Sequence, residues 1–295
     1  MEFRRLDIED KQTVQRYTLH GGYRNCDFAF ANLYGWRFLY QTEIAEYGGF
    51  LLLRFYVGGE LSYMFPLGEG DIRPVMEELM SDARTKGLPF AMYGLCKEKC
   101  YELESLFPGK FAFTSRHDYS DYLYLRSDLS TLTGKKFQSK RNHVNKFRRS
   151  YPGYEFKPLS RSLVPECIEL ETLWCRAKNC GEDRALQNER KCMNAALSRF
   201  EELDISGGVL TVDGRIVGFT YGAPVNHDTF DTCVEKADTD YDGAYAMINH
   251  EFAKTIPEQY VYINREEDLG LEGLRKAKLS YQPHILLEKY RLELK

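Results

Sequence analysis

The sequence predicts a mixed α/β protein, an α+β mixed sheet in two similar halves, and three observations carry that reading. Strands alternate with helices along the chain, two glycine-turned hairpins recur, and the order hairpin, helix, strand, helix, strand occurs twice. Such alternation implies a mixed sheet covered by helices, and a repeated order of elements implies duplication. The expected division is residues 1–130 and 131–295.

Residues 1–47 are too rich in aromatics, from Phe28 to Phe38, to be linker. Phe50–Tyr56 and Leu61–Phe65 flank Val57-Gly-Gly-Glu60, a hairpin with a flexible turn. Val75, Met76, Leu79, Met80 and Ala83 recur at helical spacing. Pro74 near the start and Gly87 past the end punctuate that helix. A strand at 89–93, a helix at 97–107 stopped by Pro108-Gly109, and strands near 110–114 and 122–125 complete the first half.

The second half opens with helices at about 165–178 and 187–203. The latter lines up Cys192, Met193, Ala196, Leu197, Phe200 and Leu203. Gly207–Val212 turns at Asp213-Gly214 into Arg215–Tyr221, a strong hairpin signal. A strand at about 229–236, a helix at 243–255, a strand at 260–264, a helix at 269–280 and a strand at 284–290 follow. The Gly48-Gly49 and Gly207-Gly208 pairs announce the two hairpins and support the duplication.

Composition narrows the function. The net charge of −4 argues against a general polyanion binder. No run of about 18 apolar residues exists, so no transmembrane segment is expected. The first residues lack a signal-peptide core, and a cytoplasmic location is expected. The 8 Cys are irregularly spaced and read as free thiols. Cys96-x3-Cys100 and Cys175-x4-Cys180 do not have zinc-knuckle spacing, so no metal is expected.

Two long motifs carry a resemblance. One runs from Asp121-Tyr-Leu-Tyr124 through Asp128-Leu129 to Gly134-Lys-Lys-x3-Lys-Arg-Asn-His-Val-Asn-Lys-Phe147. The other runs from Asn264-Arg-Glu-Glu-Asp268 to Lys278-Leu-Ser-Tyr281-x-Pro283. Both resemble the phosphatidylglycerol lysyltransferase C-terminal domain family, in its soluble, anchor-free branch, over nearly the whole chain. The resemblance implies a tandem GNAT-like acyl-CoA N-acyltransferase fold and kinship with Fem-type aminoacyltransferases. It further implies direct transfer from an activated ester or thioester to an amine or hydroxyl acceptor. The donor co-substrate would be aminoacyl-tRNA or acyl-CoA, with tRNA as an expected partner, a small-molecule or peptide acceptor, and no tightly bound cofactor. A non-catalytic module that binds an anionic ligand is the alternative. Oligomeric state is left open.

Candidate residues fall into three groups. Lys135, Lys136, Lys140, Arg141, Asn142 and Lys146 lie in a run without acids that could track donor phosphates; a solvated linking helix is the plainer reading. The resemblance places a pyrophosphate loop at Asp238–Tyr245, where Gly243 and Ala244 allow close backbone approach. The three Asp there oppose a second anion, and Asp242 also reads as a helix N-cap. At the expected C-terminal sheet edge, Glu266, Glu267 or Asp268 could serve as base, and Lys278 and Tyr281 as proton donors or oxyanion stabilisers. Lys278 matches a lysine of the Fem-type enzymes. Asp231 and Glu235, on one strand face, could line an acceptor cleft with Asn264 and Arg265, or simply face solvent.

Overall fold

The architecture comes from a computed structural model, which describes residues 1–177 and 183–295. Cys180 and the end of the helix expected at 165–178 lie outside the described residues.

The chain opens with β1 (Arg4–Arg5), α1 (Lys11–Thr18) and the aromatic helix α2 (Phe30–Tyr40). β2 (Glu43–Tyr47), β3 (Phe50–Val57) and β4 (Glu60–Met64) form a meander, and β5 (Leu67–Gly68) joins β3. α3 (Ile72–Thr85), β6 (Ala91–Leu95), α4 (Lys97–Leu106), β7 (Phe111–Ser115) and β8 (Asp121–Leu125) follow. Then come α5 (Arg126–Thr131), α6 (Gln138–Ser150), β9 (Tyr154–Pro158), α7 (Val164–Ala177) and α8 (Arg184–Leu197). The second meander is β10 (Ser206–Val212), β11 (Arg215–Pro224) and β12 (Thr229–Ala237). α9 (Ala244–Thr255), β13 (Tyr262–Asn264), α10 (Glu272–Leu279), β14 (Ile285–Leu287) and β15 (Tyr290–Leu294) end the chain.

Two sheets result. The first has the order β1-β2-β3-β4-β6-β15-β7, and the second β14-β8-β13-β12-β11-β10-β9. Each contains one parallel pair, β4 with β6 and β12 with β13, joined through α3 and α9. The duplication is visible in that equivalence.

The last strand of each half is exchanged. β8 follows β7 in the chain but inserts between β13 and β14 of the second sheet; β15 follows β14 but inserts between β6 and β7 of the first. A core cluster therefore draws on both halves, packing Phe28, Phe30 and Leu51 with Val209, Phe219 and Val234. Neither sheet is complete without the other half of the chain.

Three expectations need correction. Gly48-Gly49 is itself the turn between β2 and β3, a strand pair that the aromatic density of residues 1–47 concealed. Gly207-Gly208 lies inside β10, where the Phe156 ring packs against Gly208 and leaves no room for a Cβ. The single strand expected at 284–290 is two strands in different sheets, broken where the chain crosses between them.

Candidate functional site

The parallel pairing of β12 and β13 sets Asp231 beside Asn264. The chain then leaves the sheet in a kinked segment. Glu266 and Leu269 adopt left-handed backbone conformations, with φ of 57° and 53°. Side chains hold the kinks: Asn264 Oδ1 accepts from the Glu266 amide at 2.7 Å, and Asp268 Oδ1 from the Gly270 amide at 2.8 Å. Lys278 Nζ, reaching up from α10, donates to the Arg265 carbonyl and to the Glu266 carbonyl, the latter at 3.1 Å. Burial and nearby Arg265 lower its pKa. Lys278 thus organises the segment.

Around this segment the predicted residues sort into two clusters. The first contains Lys140, Glu235, Arg265 and Tyr281. Arg265 donates to Glu235 at 2.8 Å, and Asn249 of α9 donates to the other Glu235 oxygen at 2.9 Å. The Tyr281 ring lies 4.7 Å from the Arg265 guanidinium and 3.8 Å from Lys140 Nζ. Tyr281 is buried and packs edge-on against Tyr124 of β8. Burial, then the positive Arg265, pulls the Lys140 pKa down to about 8.

The second cluster lies deeper, between the halves. Asn32 of α2 donates to Asp231 at 2.9 Å and to Glu266 at 3.0 Å, drawing the two carboxyls to one nitrogen. Burial pushes both pKa values well up, joined by repulsion from Asp121 at Asp231 and from Asp231 at Glu266. Cys233 donates to Asp231 at 3.3 Å, and burial raises its own pKa, so it is no thiolate nucleophile. Beside them, Lys289 pairs with Asp121 at 2.8 Å, Asp27 at 2.9 Å and Glu267. Burial opposes its charge, but those carboxylates outweigh it and raise its pKa well above the ordinary lysine value. Cys26, Asp27 and Glu267 could also surround a cation, and the Lys289 ammonium already neutralises that corner. Asn264 joins this cluster, donating to Asp121 at 2.8 Å and to the Arg24 carbonyl at 2.8 Å.

Other expectations fare differently. Asp231 is fully buried and Glu235 nearly so, which overturns the solvent-face reading. Asp268 accepts from Tyr122 at 2.6 Å and from Arg275 at 2.7 and 2.8 Å. The Arg275 guanidinium holds its pKa far below the usual carboxylate range. Most of the basic run is also spoken for. Lys136 pairs with Asp128 at 2.8 Å, Lys146 with Asp242, and Arg148 with Glu251 at 3.1 Å. Arg141 donates to the Leu132 carbonyl, to the Gly134 carbonyl at 2.6 Å and to Gln138 at 2.7 Å. Asn142 accepts from Gln138 at 2.8 Å. Lys135 and Arg149 are exposed and, among the described residues, lack such partners.

The expected Asp242 cap is not made: Gly243, with φ of 89°, is the N-cap of α9, while Asp242 binds Lys146. The close approach that Gly243 and Ala244 allow is filled from within. A Cβ at Gly243 would lie 2.7 Å from the His143 carbonyl oxygen of α6. Gly243→Ala is therefore expected to lower stability by at least about 1–2 kcal/mol from left-handed strain alone, and to loosen α6. An unchanged melting temperature would contradict that packing.

Sequence reading missed Cys26, Asn32 and Lys289, and quoted Asp121 without giving it a role. A groove of about 690 Å³ opens elsewhere, lined by Arg5, Asp7, Arg37, Gln41 and Lys191; no predicted site residue lines it.

Comparisons with known proteins agree on fold and family. The family described as phosphatidylglycerol lysyltransferase, C-terminal, matches residues 22–293. A crystal structure of a conserved protein of unknown function from Bacteroides thetaiotaomicron is 51% identical, covers 100% of both chains and has a TM-score of 0.98. L-PGS from Bacillus licheniformis, 19% identical, covers 98% of this chain and 92% of its own at a TM-score of 0.69. A tandem GNAT protein from the clavulanic acid biosynthesis pathway, 11% identical, covers 99% and 98% at 0.51. Among curated proteins, an uncharacterized protein of Mycoplasmoides gallisepticum is 24% identical over 172 residues; the match spans 58% of this chain and about half, 55%, of that relative. The fold is tandem GNAT-like. Among the described residues, no helix is long and apolar enough to cross a membrane.

Proposed function

The chain belongs to the phosphatidylglycerol lysyltransferase C-terminal family, and from that premise we propose that it moves an acyl or aminoacyl group from an activated ester or thioester to an amine or hydroxyl acceptor. Family and fold support acyl or aminoacyl transfer in general. The observation that carries the reading to a place is the convergence of Lys140, Glu235, Arg265 and Tyr281 from four separate segments beside the parallel strand pair. Ligands in open α/β sheets bind at such an edge. Arg265, fixed by Glu235, supplies a preorganised positive charge for the oxyanion that forms as the carbonyl is attacked. Direct transfer fits this site, because Cys233, two residues before Glu235 on β12, is held as a thiol.

The donor we favour is aminoacyl-tRNA over acyl-CoA. The space beside Gly243, where a GNAT pyrophosphate would sit, is filled by the α6 backbone, whose carbonyl repels phosphate. A binding module without turnover is the second reading, and the same closed cradle is what favours it.

Thermal unfolding with each donor discriminates. A ligand at about 100 times its dissociation constant adds roughly 2.7 kcal/mol. We expect charged tRNA to raise the melting temperature and acetyl-coenzyme A to leave it unchanged. The reverse would make the protein a coenzyme A-dependent acyltransferase, and silence from both would shift the reading to the binding module.

A further inference from the structure

We infer that the base which frees the attacking amine is Lys140, rather than one of the acids that follow β13. The inference rests on the transferase reading and deepens it.

The acids are otherwise engaged. Both Asp268 oxygens accept from Arg275, with Tyr122 and the Gly270 amide completing their shell. Glu267 is tied to Lys289. Glu266 turns toward Asn32 and Asp231, deep between the halves, where burial and the Asp231 carboxyl raise its pKa. None offers a free carboxylate to the cluster around Arg265.

Lys140 is differently placed. Its neighbours Lys136, Arg141 and Lys146 hold acids or carbonyls, whereas Lys140 makes no hydrogen bond or ion pair among the described residues. Its ammonium rests on the Tyr281 ring, 3.8 Å from the centroid, a contact that positions the nitrogen without consuming its lone pair once neutral. The charged groups acting on it are Arg265 after β13 and Glu235 of β12, with Tyr281 beneath its ammonium; Tyr124 of β8 and Lys278 of α10 contact Arg265 in turn. Burial and the cationic Arg265 outweigh Glu235 and bring its pKa to about 8, against about 10.4 for an ordinary lysine. A base poised near working pH is what general-base catalysis needs.

The step balances as follows. Neutral Lys140 takes one proton from the acceptor ammonium, and the freed lone pair forms the new C–N bond at the donor carbonyl. The tetrahedral intermediate collapses with cleavage of the C–O or C–S bond. Lys140 returns its proton to the departing oxygen or sulfur, and a second proton leaves the nitrogen for solvent. No oxidant, reductant or metal enters.

The test compares wild type with Lys140→Met and Lys140→Arg, and Lys140→Ala for amine rescue, using the charged-tRNA donor with an amine acceptor across pH 6–10, with circular dichroism to check folding. Lys140→Arg keeps a cation over Tyr281 but cannot act as base. We expect kcat/KM of the wild type to rise through about pH 8, and both variants to lose about 10²–10⁴-fold together with that limb. We further expect added alkylamines to restore part of the rate in Lys140→Ala. An active Lys140→Arg variant, or a pH limb that persists in Lys140→Met, would overturn the assignment while leaving the transferase reading intact. A wild type that turns over no donor would overturn both.

Discussion

Replacing Lys289 by Met is expected to destabilise the fold by about 3–5 kcal/mol, the usual cost of removing one partner from a buried ion pair. Lys289 stands where the chain leaves β14 for β15, and its partner Asp121 opens β8. These are the two crossing points of the strand exchange, so one ion pair joins the places where each half enters the other's sheet. Without the ammonium, Asp121 and Glu267 face each other across Cys26, and Asp121 keeps only neutral donors among the described residues: the Cys26 amide, the Cys26 thiol and Asn264. Urea denaturation measures the loss. Adding Asp121→Asn to Lys289→Met should recover part of it, because the stranded charge is then removed. A single variant as stable as wild type would mean that the exchanged strands are held by packing alone.

Asp268→Asn is expected to cost on the order of 2–3 kcal/mol near neutral pH, from the loss of charged hydrogen bonds to Arg275 and Tyr122. The pH dependence has a definite sign. The carboxyl is held far below its ordinary range by Arg275, so its folded pKa lies below its unfolded one. Its stabilisation is present above the unfolded carboxylate value of about 3.9 and fades as pH falls below it. Wild type and variant should therefore converge in acid. A gap that stays constant into that range would show that Asp268 acts through shape, not charge. Asp268 anchors the kinked segment that carries Arg265, so the same substitution is expected to blunt any activity.

The local patterns in the sequence were enough to find the second meander, because Asp213-Gly214 is a turn signal that needs no distant partner. They also found α3, whose apolar residues recur on one face. The segment 264–281 was legible as a cluster of polar residues for the same reason: they lie close in sequence. The remainder depended on distance along the chain. Cys26 and Lys289 meet from opposite ends, as do Asn32 and Asp231. The exchange of β8 and β15 leaves no local mark, since each strand looks like the natural end of its own half. The basic run misled because charge was counted along the chain, whereas Asp128, Asp242 and Glu251 neutralise it in space. Among the acids after β13, spacing could not tell a structural carboxylate from a free one; only the partners Arg275, Lys289 and Asn32 do.

The central claim is that acyl or aminoacyl transfer occurs where Lys140, Glu235, Arg265 and Tyr281 meet. The most direct measurement follows label from a radiolabelled aminoacyl-tRNA pool onto a mixture of amine acceptors, for wild type and for a folded Arg265→Met variant. The account predicts transfer above the enzyme-free control by wild type and its loss in the variant. Transfer that survives the substitution would place the chemistry elsewhere, and no transfer from any donor would contradict the account.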